Sequence, residues 1–308
     1  MNSRLWLVAI LLLLGAGWGI TGPFAKIAVS GEYRSFGLVF WQFTIGTVLL
    51  SVMMFARGKR LSLGWPQLRL YIIIALIGTL VPNSASFEAA RHLPAGVISI
   101  LLSLMPMFAL PIALVLGNDQ FSPARLLGLG FGLAGVLLLI APEASLPDRA
   151  LVIFIPLALI APLCYGGEGN IVAKWGTYGC DPIQVLLGAS IVGAIMAAPL
   201  AVWTGQWIAP HWPLNTPDMA LILASTIHAF AYTTYVWLVG RAGPVFAAQV
   251  SYLVTAFGVF WAMLLLGESY STWIWAALAL IFAGLFLVQP RRSQTVLEPA
   301  GPVGDDGP

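Results

Sequence analysis

The chain has 308 residues, of which 59% are hydrophobic and 8% charged, whereas a soluble globular domain carries about 25% charged residues. This composition excludes water as the main solvent of the folded protein. The formal net charge of +2 gives no indication of a nucleic-acid partner.

Long apolar segments follow one another along the chain, separated by short polar breaks. A helix needs about 20 apolar residues to cross the lipid bilayer, and the segments lack the alternation expected of barrel strands. We therefore predict an all-α integral membrane protein with ten transmembrane helices and no soluble catalytic or nucleotide-binding domain. The predicted helices span residues 4–28, 36–56, 69–90, 94–116, 123–141, 151–174, 182–203, 218–240, 244–266 and 271–289.

The first segment resembles a signal peptide, because Arg4 precedes an apolar run. The apolar pattern continues past Trp18 to Lys26 without a clear small-residue cleavage site, which favours an uncleaved first helix. At the other end of the chain, residues 291–308 are rich in Pro and Gly and have no apolar period. We expect this tail to be disordered and cytoplasmic.

The positions of the Lys and Arg residues predict the orientation. If the N-terminus is cytoplasmic, ten of the fourteen fall on the inner side, and the outer side keeps only Lys26, Arg34, Arg91 and Arg149. This bias predicts a multi-pass protein of the inner (plasma) membrane with both termini in the cytoplasm. The segment 203–217 has three Trp residues and no Lys or Arg, as expected of an outer loop at the interface.

The two halves of the chain show a weak self-similarity at an offset of about 150 residues. Because each copy would contain five helices, the second copy would enter the membrane from the opposite side. We predict two inverted five-helix repeats, 1–148 and 149–290, with the substrate site near the midplane where they meet. The matched positions are Lys26 with Lys174, Arg91–Pro94 with Arg241–Pro244, and Gly117 with Gly267.

With these repeats and motifs the chain resembles the drug/metabolite transporter superfamily, in its EamA-like ten-helix group, and within that group the YddG-type exporters of aromatic amino acids. The resemblance implies secondary export of small metabolites, most simply aromatic and other neutral amino acids, by alternating access through a central cavity. One departure is Gly117-Asn118-Asp119, where these families usually have Gly-Glu.

Polar residues within membrane helices usually face a cavity or one another. Pro82 and Pro106 interrupt the helical hydrogen bonding and are candidate hinges, and the run 166–169 (Gly-Gly-Glu-Gly) is a further predicted break. The candidate substrate-binding and cavity residues are Trp18, Trp41, Gln42, Asn83, Ser103, Tyr165, Glu168, Asn170, His228, Tyr232, Gln249 and Tyr252.

Some roles stay open at this stage. His228 either binds and releases a proton near neutral pH or is a buried histidine with one hydrogen bond. Glu168 either lines the cavity or reaches water at the inner end. Glu88 and Arg91 are three residues apart and fit a structural pair at the outer end. Lys26 and Lys174 are expected to extend towards the polar interface.

Motifs typical of other functions are missing from the sequence. The sequence contains no P-loop, no H-E-x-x-H, no G-x-S-x-G and no metal-ligand spacing, so we expect no cofactor, no metal and no catalytic residues. The alternatives are an exporter of another small metabolite or drug, an intramembrane enzyme, and a sensor or assembly protein. The expected partners are a small-molecule substrate and the lipid bilayer, with protons as a candidate coupling ion and the oligomeric state open.

Overall fold

The computed structural model describes residues 3–141, 146, 148–242, 244–247 and 249–288. In this part of the chain all regular secondary structure is helical. The predicted tail 291–308 lies outside the described residues. The principal helices are α1 (Leu5–Ala28), α2 (Ser35–Ala56), α3 (Trp65–His92), α4 (Ala95–Leu116), α5 (Pro123–Ile140), α6 (Arg149–Trp175), α7 (Pro182–Trp203), α8 (Thr216–Leu238), α9 (Val250–Leu266) and α10 (Thr272–Val288).

These helices confirm the predicted all-α membrane fold. Eight of them, α1 to α8, are long and apolar enough to cross a membrane, whereas α9 and α10 are apolar but have 17 residues each. A short helix, Pro244–Ala247, precedes α9. The ten segments agree in order and approximate position with the ten predicted spans.

Prolines account for the irregularities within the helices. Pro106 has no N–H to donate to the carbonyl of Leu102, and α4 accordingly divides into Ala95–Leu102 and Met105–Leu116. Pro82 cannot bond to the carbonyl of Gly78, and the five residues Leu76–Leu80 of α3 form a π-helical turn. Both interruptions occur at the prolines that the sequence analysis named.

The predicted break at residues 166–169 is wrong, because α6 is continuous from Ile155 to Trp175. The glycine at 166 serves packing instead. A Cβ atom built on Gly166 would lie 2.8 Å from the backbone nitrogen of Ala109, so the missing side chain allows α6 to contact α4 directly.

Helix packing pairs the two halves of the chain. α1 packs on α8 and α9, and α6 packs on α3 and α4; α2 contacts α8, and α7 contacts α3. The remaining major pairs are α2 with α7, α4 with α9, and α5 with α10. Glycines permit the closest approaches, as between Gly128 of α5 and Gly284 of α10, where an added Cβ would lie 2.7 Å from a backbone oxygen.

The outer surface of the bundle is apolar. Leu13 and Ile195 leave about 70% of their surface uncovered (71% and 69%), and Phe55 leaves 88% uncovered. Exposed apolar surface on this scale indicates contact with lipid rather than water. Trp203 and Trp212, in the segment predicted to lie at the outer interface, are also exposed.

Candidate functional site

One group of candidate residues joins α1 to α8 inside the bundle. The indole Nε1 of Trp18 donates a hydrogen bond to Nδ1 of His228 over 3.0 Å. The Trp18 ring also meets Tyr232 and Tyr235 edge-on or tilted, with ring centroids 6.5 Å and 5.9 Å apart. We call Trp18, His228, Tyr232 and Tyr235 the aromatic group.

His228 has many protein neighbours and is still partly accessible. Its side chain is surrounded by protein atoms, yet more than a third of its surface is accessible. Because its Nδ1 accepts the Trp18 bond, a neutral His228 carries its proton on Nε2. An imidazolium would have no acceptor and would break this bond.

A second group joins α2, α3 and α6. The side-chain amide nitrogen of Asn83 donates to Oε1 of Gln42 over 2.8 Å, and its carbonyl oxygen accepts the Tyr165 hydroxyl over 2.6 Å. Asn83 directly follows Pro82 at the end of the π-helical turn. We call Gln42, Asn83 and Tyr165 the amide group.

Glu168 lies one turn after Tyr165 on α6, and its carboxylate rests against the π-helical turn of α3. A Cβ atom built on Gly78 would lie 2.7 Å from Oε1 of Glu168. Only glycine at this position therefore leaves room for the carboxylate. Glu168 lies within electrostatic reach of the hydroxyls of Tyr165, in the amide group, and Tyr232, in the aromatic group. Among the described residues, its carboxylate has no hydrogen-bond or salt-bridge partner.

The other candidate residues make separate contacts. Trp41 donates to the carbonyl of Ile208, and the hydroxyl of Ser103, which is buried, bonds to Ile100 of its own helix. Asn170 is buried between α6 and α4 and donates to the carbonyl of Ala109. The remaining two are Tyr252 and Gln249. Tyr252 contacts Phe282, and its buried hydroxyl has no partner among the described residues. Gln249 lies at the start of α9.

At one end of the bundle, called the Lys26 end, a contact joins the two halves of the chain. The Glu268 carboxylate, which follows α9, accepts the backbone N–H groups of Ala95 and Gly96 over 2.7 and 3.1 Å. Tyr270 donates its hydroxyl to the same carboxylate. Burial and this hydrogen bond raise the pKa of Tyr270. A carboxylate at the first turn of α4 is favoured by the helix dipole.

Two of the charged residues named from the sequence lie around this contact. Lys26 extends its Nζ to the carbonyl of Leu93 over 2.9 Å. Arg91 lies 3.8 Å from Glu88 in the expected pair. A pocket of about 440 Å³ opens at this end, and Lys26, Arg91 and Glu268 are among the residues that line it.

The opposite end, called the Lys174 end, has different contacts. Lys174 extends to the carbonyl of Leu116 over 3.1 Å, and Asn118 bonds to Asn170. Asn118 occupies the place where the first repeat departs from Gly-Glu, and its contact is with α6.

A salt bridge crosses the loops at the Lys174 end. Asp181 caps α7 through the backbone N–H of Gln184, and its other oxygen lies 2.6 Å from Nζ of Lys59. Burial by itself raises the pKa of Asp181. The hydrogen bonds from Lys59 and Gln184 and the charges of Lys59 and Arg57 outweigh that effect, so its pKa lies below the usual value.

Two features of the site escaped the sequence analysis. Gly78 was not singled out, although Pro82 four residues later removes the donor for its carbonyl and marks the place of the π-helical turn. Glu268 was not among the candidate residues either. Its contact with Ala95 joins residues 173 positions apart, and no local pattern in the sequence reports it.

Comparisons with known proteins agree with a transporter. The transporter YoaV of Bacillus subtilis, itself described as uncharacterized, is 26% identical over 252 residues, covering 79% of this chain and 83% of its own. The inner membrane transporter YedA of Escherichia coli, described in the same way, is 25% identical over 299 residues, covering 93% and 90%.

A solved crystal structure shares the fold, with a TM-score of 0.62 over 90% of this chain and 94% of that chain at 20% identity. The EamA-like transporter family matches the chain twice, at residues 5–141 and 152–289. Together these two matches cover most of the sequence. The protein is therefore a multi-pass membrane protein that belongs to the EamA-like transporter family.

Proposed function

We propose that the protein exports small metabolites, and most simply neutral amino acids including aromatic ones, as a secondary transporter of the inner membrane. The observation that carries this proposal is the interior set formed by the aromatic group, the amide group and Glu168. Polar side chains inside a membrane bundle are costly unless they serve a pathway or one another. Flat aromatic rings beside amide groups suit a cargo with both apolar and polar parts.

Alternating access by two inverted repeats is part of the proposal. Each helix of the first half has a counterpart five helices later. When every helix is exchanged with its counterpart, each major packing pair becomes an observed pair: α1 on α9 becomes α6 on α4, and α1 on α8 becomes α6 on α3. Gly117 and Gly267 also end matched helices with similar positive φ angles of 74° and 66°. Such a relation supports a two-fold axis between the halves, with the site on the axis.

The Glu268 contact supplies a closed end for this mechanism. While Glu268 holds the first turn of α4, the second half of the chain is tied to the first at the Lys26 end. Cargo then enters and leaves at the Lys174 end. Breaking that contact and closing the Lys174 end would present the same interior groups to the other side of the membrane. The distribution of Lys and Arg places the Lys26 end outside the cell in this proposal.

Counterflow in proteoliposomes tests the proposed function. Vesicles loaded with unlabelled phenylalanine should accumulate labelled phenylalanine from outside, because an alternating-access carrier exchanges cargo across the membrane. Vesicles without the protein, and vesicles loaded with buffer, are the controls. An exporter of another metabolite or a drug would show counterflow of that compound and not of amino acids. An intramembrane enzyme would convert the label instead of accumulating it.

The orientation is tested separately by reporter fusions. A reporter that is active only in the cytoplasm should work at either terminus and fail within the 203–217 loop. Activity in that loop would reverse the proposed topology and move the Lys26 end to the cytoplasm.

A further inference from the structure

Glu168 differs from the other acidic residues in the described spans. Glu88 pairs with Arg91 and His92, and Asp218 accepts the Tyr33 hydroxyl and pairs with His211. Both lie at the Lys26 end. Glu168 lies within α6, in electrostatic reach of the hydroxyls of Tyr165 and Tyr232, and among the described residues no side chain or backbone group bonds to its carboxylate.

A carboxylate in this position requires a positive partner. An isolated charge in an apolar medium is strongly unfavourable, and proteins compensate it by a proton or a cation. On the α3 side the carboxylate packs closely against Gly78, where an added Cβ atom would lie 2.7 Å from Oε1. On the α8 side Tyr232 lies within electrostatic reach, and the Trp18 ring meets it edge-on. Aromatic faces next to a carboxylate form the usual environment of a bound ammonium group.

We propose that Glu168 binds the ammonium group of the transported molecule, with the apolar body of the cargo against the aromatic group. This inference rests on the proposed function and narrows its cargo to amines that carry an apolar or aromatic body, amino acids included. An ammonium group is then required for recognition, and a carboxylate on the cargo is not. The Glu168 carboxylate accepts hydrogen bonds from the ammonium nitrogen, and no covalent step is involved.

Two probes of equal size test the inference. 2-Phenylethylammonium and 2-phenylethanol differ only in the charged group, and their binding to the full chain in lipid nanodiscs is measured by calorimetry. Because a hydrogen bond to a charged group is stronger than one between neutral groups, the ammonium probe should bind at least about tenfold more tightly than the alcohol. Glu168→Gln should bind both probes equally.

A glycine pair provides a second test that keeps Glu168 in place. Gly78→Ala adds a methyl group 2.7 Å from Oε1 of Glu168 and should displace the carboxylate, reducing the preference for the ammonium probe. Gly169→Ala is the matched control. Gly169 lies next to Glu168 on α6, and a Cβ atom built there meets nothing within 4 Å. This control should keep the wild-type preference. If Glu168→Gln does not fold, the comparison of Gly78→Ala with Gly169→Ala still tests whether the preference for the ammonium probe depends on the Glu168 carboxylate.

The outcomes separate the two proposals. Equal binding of both probes to the wild type, or a preference that survives Glu168→Gln and Gly78→Ala, overturns ammonium binding at Glu168 and leaves export intact. Failure of the ammonium probe to bind while phenylalanine counterflow proceeds also overturns it. Absence of both probe binding and counterflow for every cargo overturns the proposed function and this inference with it.

Discussion

Single hydrogen bonds between distant helices define the interior of this protein. The sequence identifies most of the participants, because a polar residue in an apolar span is conspicuous. It does not identify their partners: Trp18 and His228 are 210 residues apart, and Asn83 and Tyr165 are 82 apart. Asn170 was also predicted for the cavity, and one partner of its side chain is the carbonyl of Ala109 on α4. Residue type alone does not distinguish a cavity wall from a helix contact.

The bond between Trp18 and His228 should be necessary for the aromatic group to keep its shape. His228→Phe retains a ring but loses the acceptor, and an indole N–H without a partner costs about 1–3 kcal/mol. We expect phenylalanine counterflow to fall about tenfold or more. His228→Asn keeps an acceptor near the position of Nδ1 and should retain most of the activity.

A double-mutant cycle checks this prediction. If the bond is the cause, Trp18→Phe should reduce counterflow as His228→Phe does, and the double variant should be little worse than either single variant. Additive losses would show that the two side chains act independently.

Asp181 should make stability depend on pH only in acid. Its pKa is below the usual value of 3.8, so its contribution is complete above that value and is lost as the pH falls through the lower folded-state pKa. Asp181→Asn keeps a capping side chain and removes the charge that pairs with Lys59. The melting temperature of the wild type should exceed that of Asp181→Asn at neutral pH, with the difference shrinking below about pH 4. A difference that stays constant into acid would contradict this assignment.

At the scale of elements, apolar length and proline position predict most of the structure. The spans were found because about 20 apolar residues are needed to cross a bilayer, and the interruptions near Pro82 and Pro106 because proline lacks an N–H. Two expectations needed tertiary information. The glycines at 166–169 do not break α6, since Gly166 lies against the backbone of Ala109. The π-helical form of the interruption in α3 depends on how the helix resumes against its neighbours.

The contact between Glu268 and the first turn of α4 should hold the Lys26 end closed. Glu268→Gln keeps an acceptor for one N–H group but loses the charge, and we expect the closed state to weaken by about 1–2 kcal/mol. That corresponds to an increase of roughly 5- to 30-fold in the population open at this end.

Thiol accessibility measures this change. Ala90→Cys, in the pocket at the Lys26 end, should react faster with a hydrophilic thiol reagent in the Glu268→Gln background. Glu32→Gln is the matched control, because Glu32 is exposed near the same end and its replacement should leave the rate unchanged. Equal rates in all three backgrounds would show that Glu268 does not hold the end closed.

For the whole molecule, the sequence predicts the helical membrane fold and the order of its spans. The family follows from those features, and the resemblance identified it correctly. The cargo and the direction of transport stay proposals, because family membership determines architecture more strongly than it determines substrate. The packing pairs that support a two-fold axis arise from contacts between halves about 150 residues apart, and the weak self-similarity of the sequence only hints at them.

The central claim is that the interior groups line a pathway open to one side of the membrane at a time, and two-sided labelling tests it most directly. Thr21 lies on α1 near Trp18, to whose carbonyl it donates, whereas Leu13 of the same helix faces outward and is 71% exposed. Each is replaced by Cys in a chain carrying Cys164→Ser and Cys180→Ser. A membrane-impermeant thiol reagent is then added to two preparations of sealed vesicles, one with the Lys174 end of the protein facing outward and one with the Lys26 end facing outward.

Thr21→Cys should be labelled from the Lys174 side, and from the Lys26 side only when Glu268→Gln is also present, while Leu13→Cys should be labelled from neither. The account would be contradicted if Thr21→Cys were labelled from neither side, with or without Glu268→Gln. It would also be contradicted if Thr21→Cys were labelled at equal rates from both sides when Glu268 is unchanged.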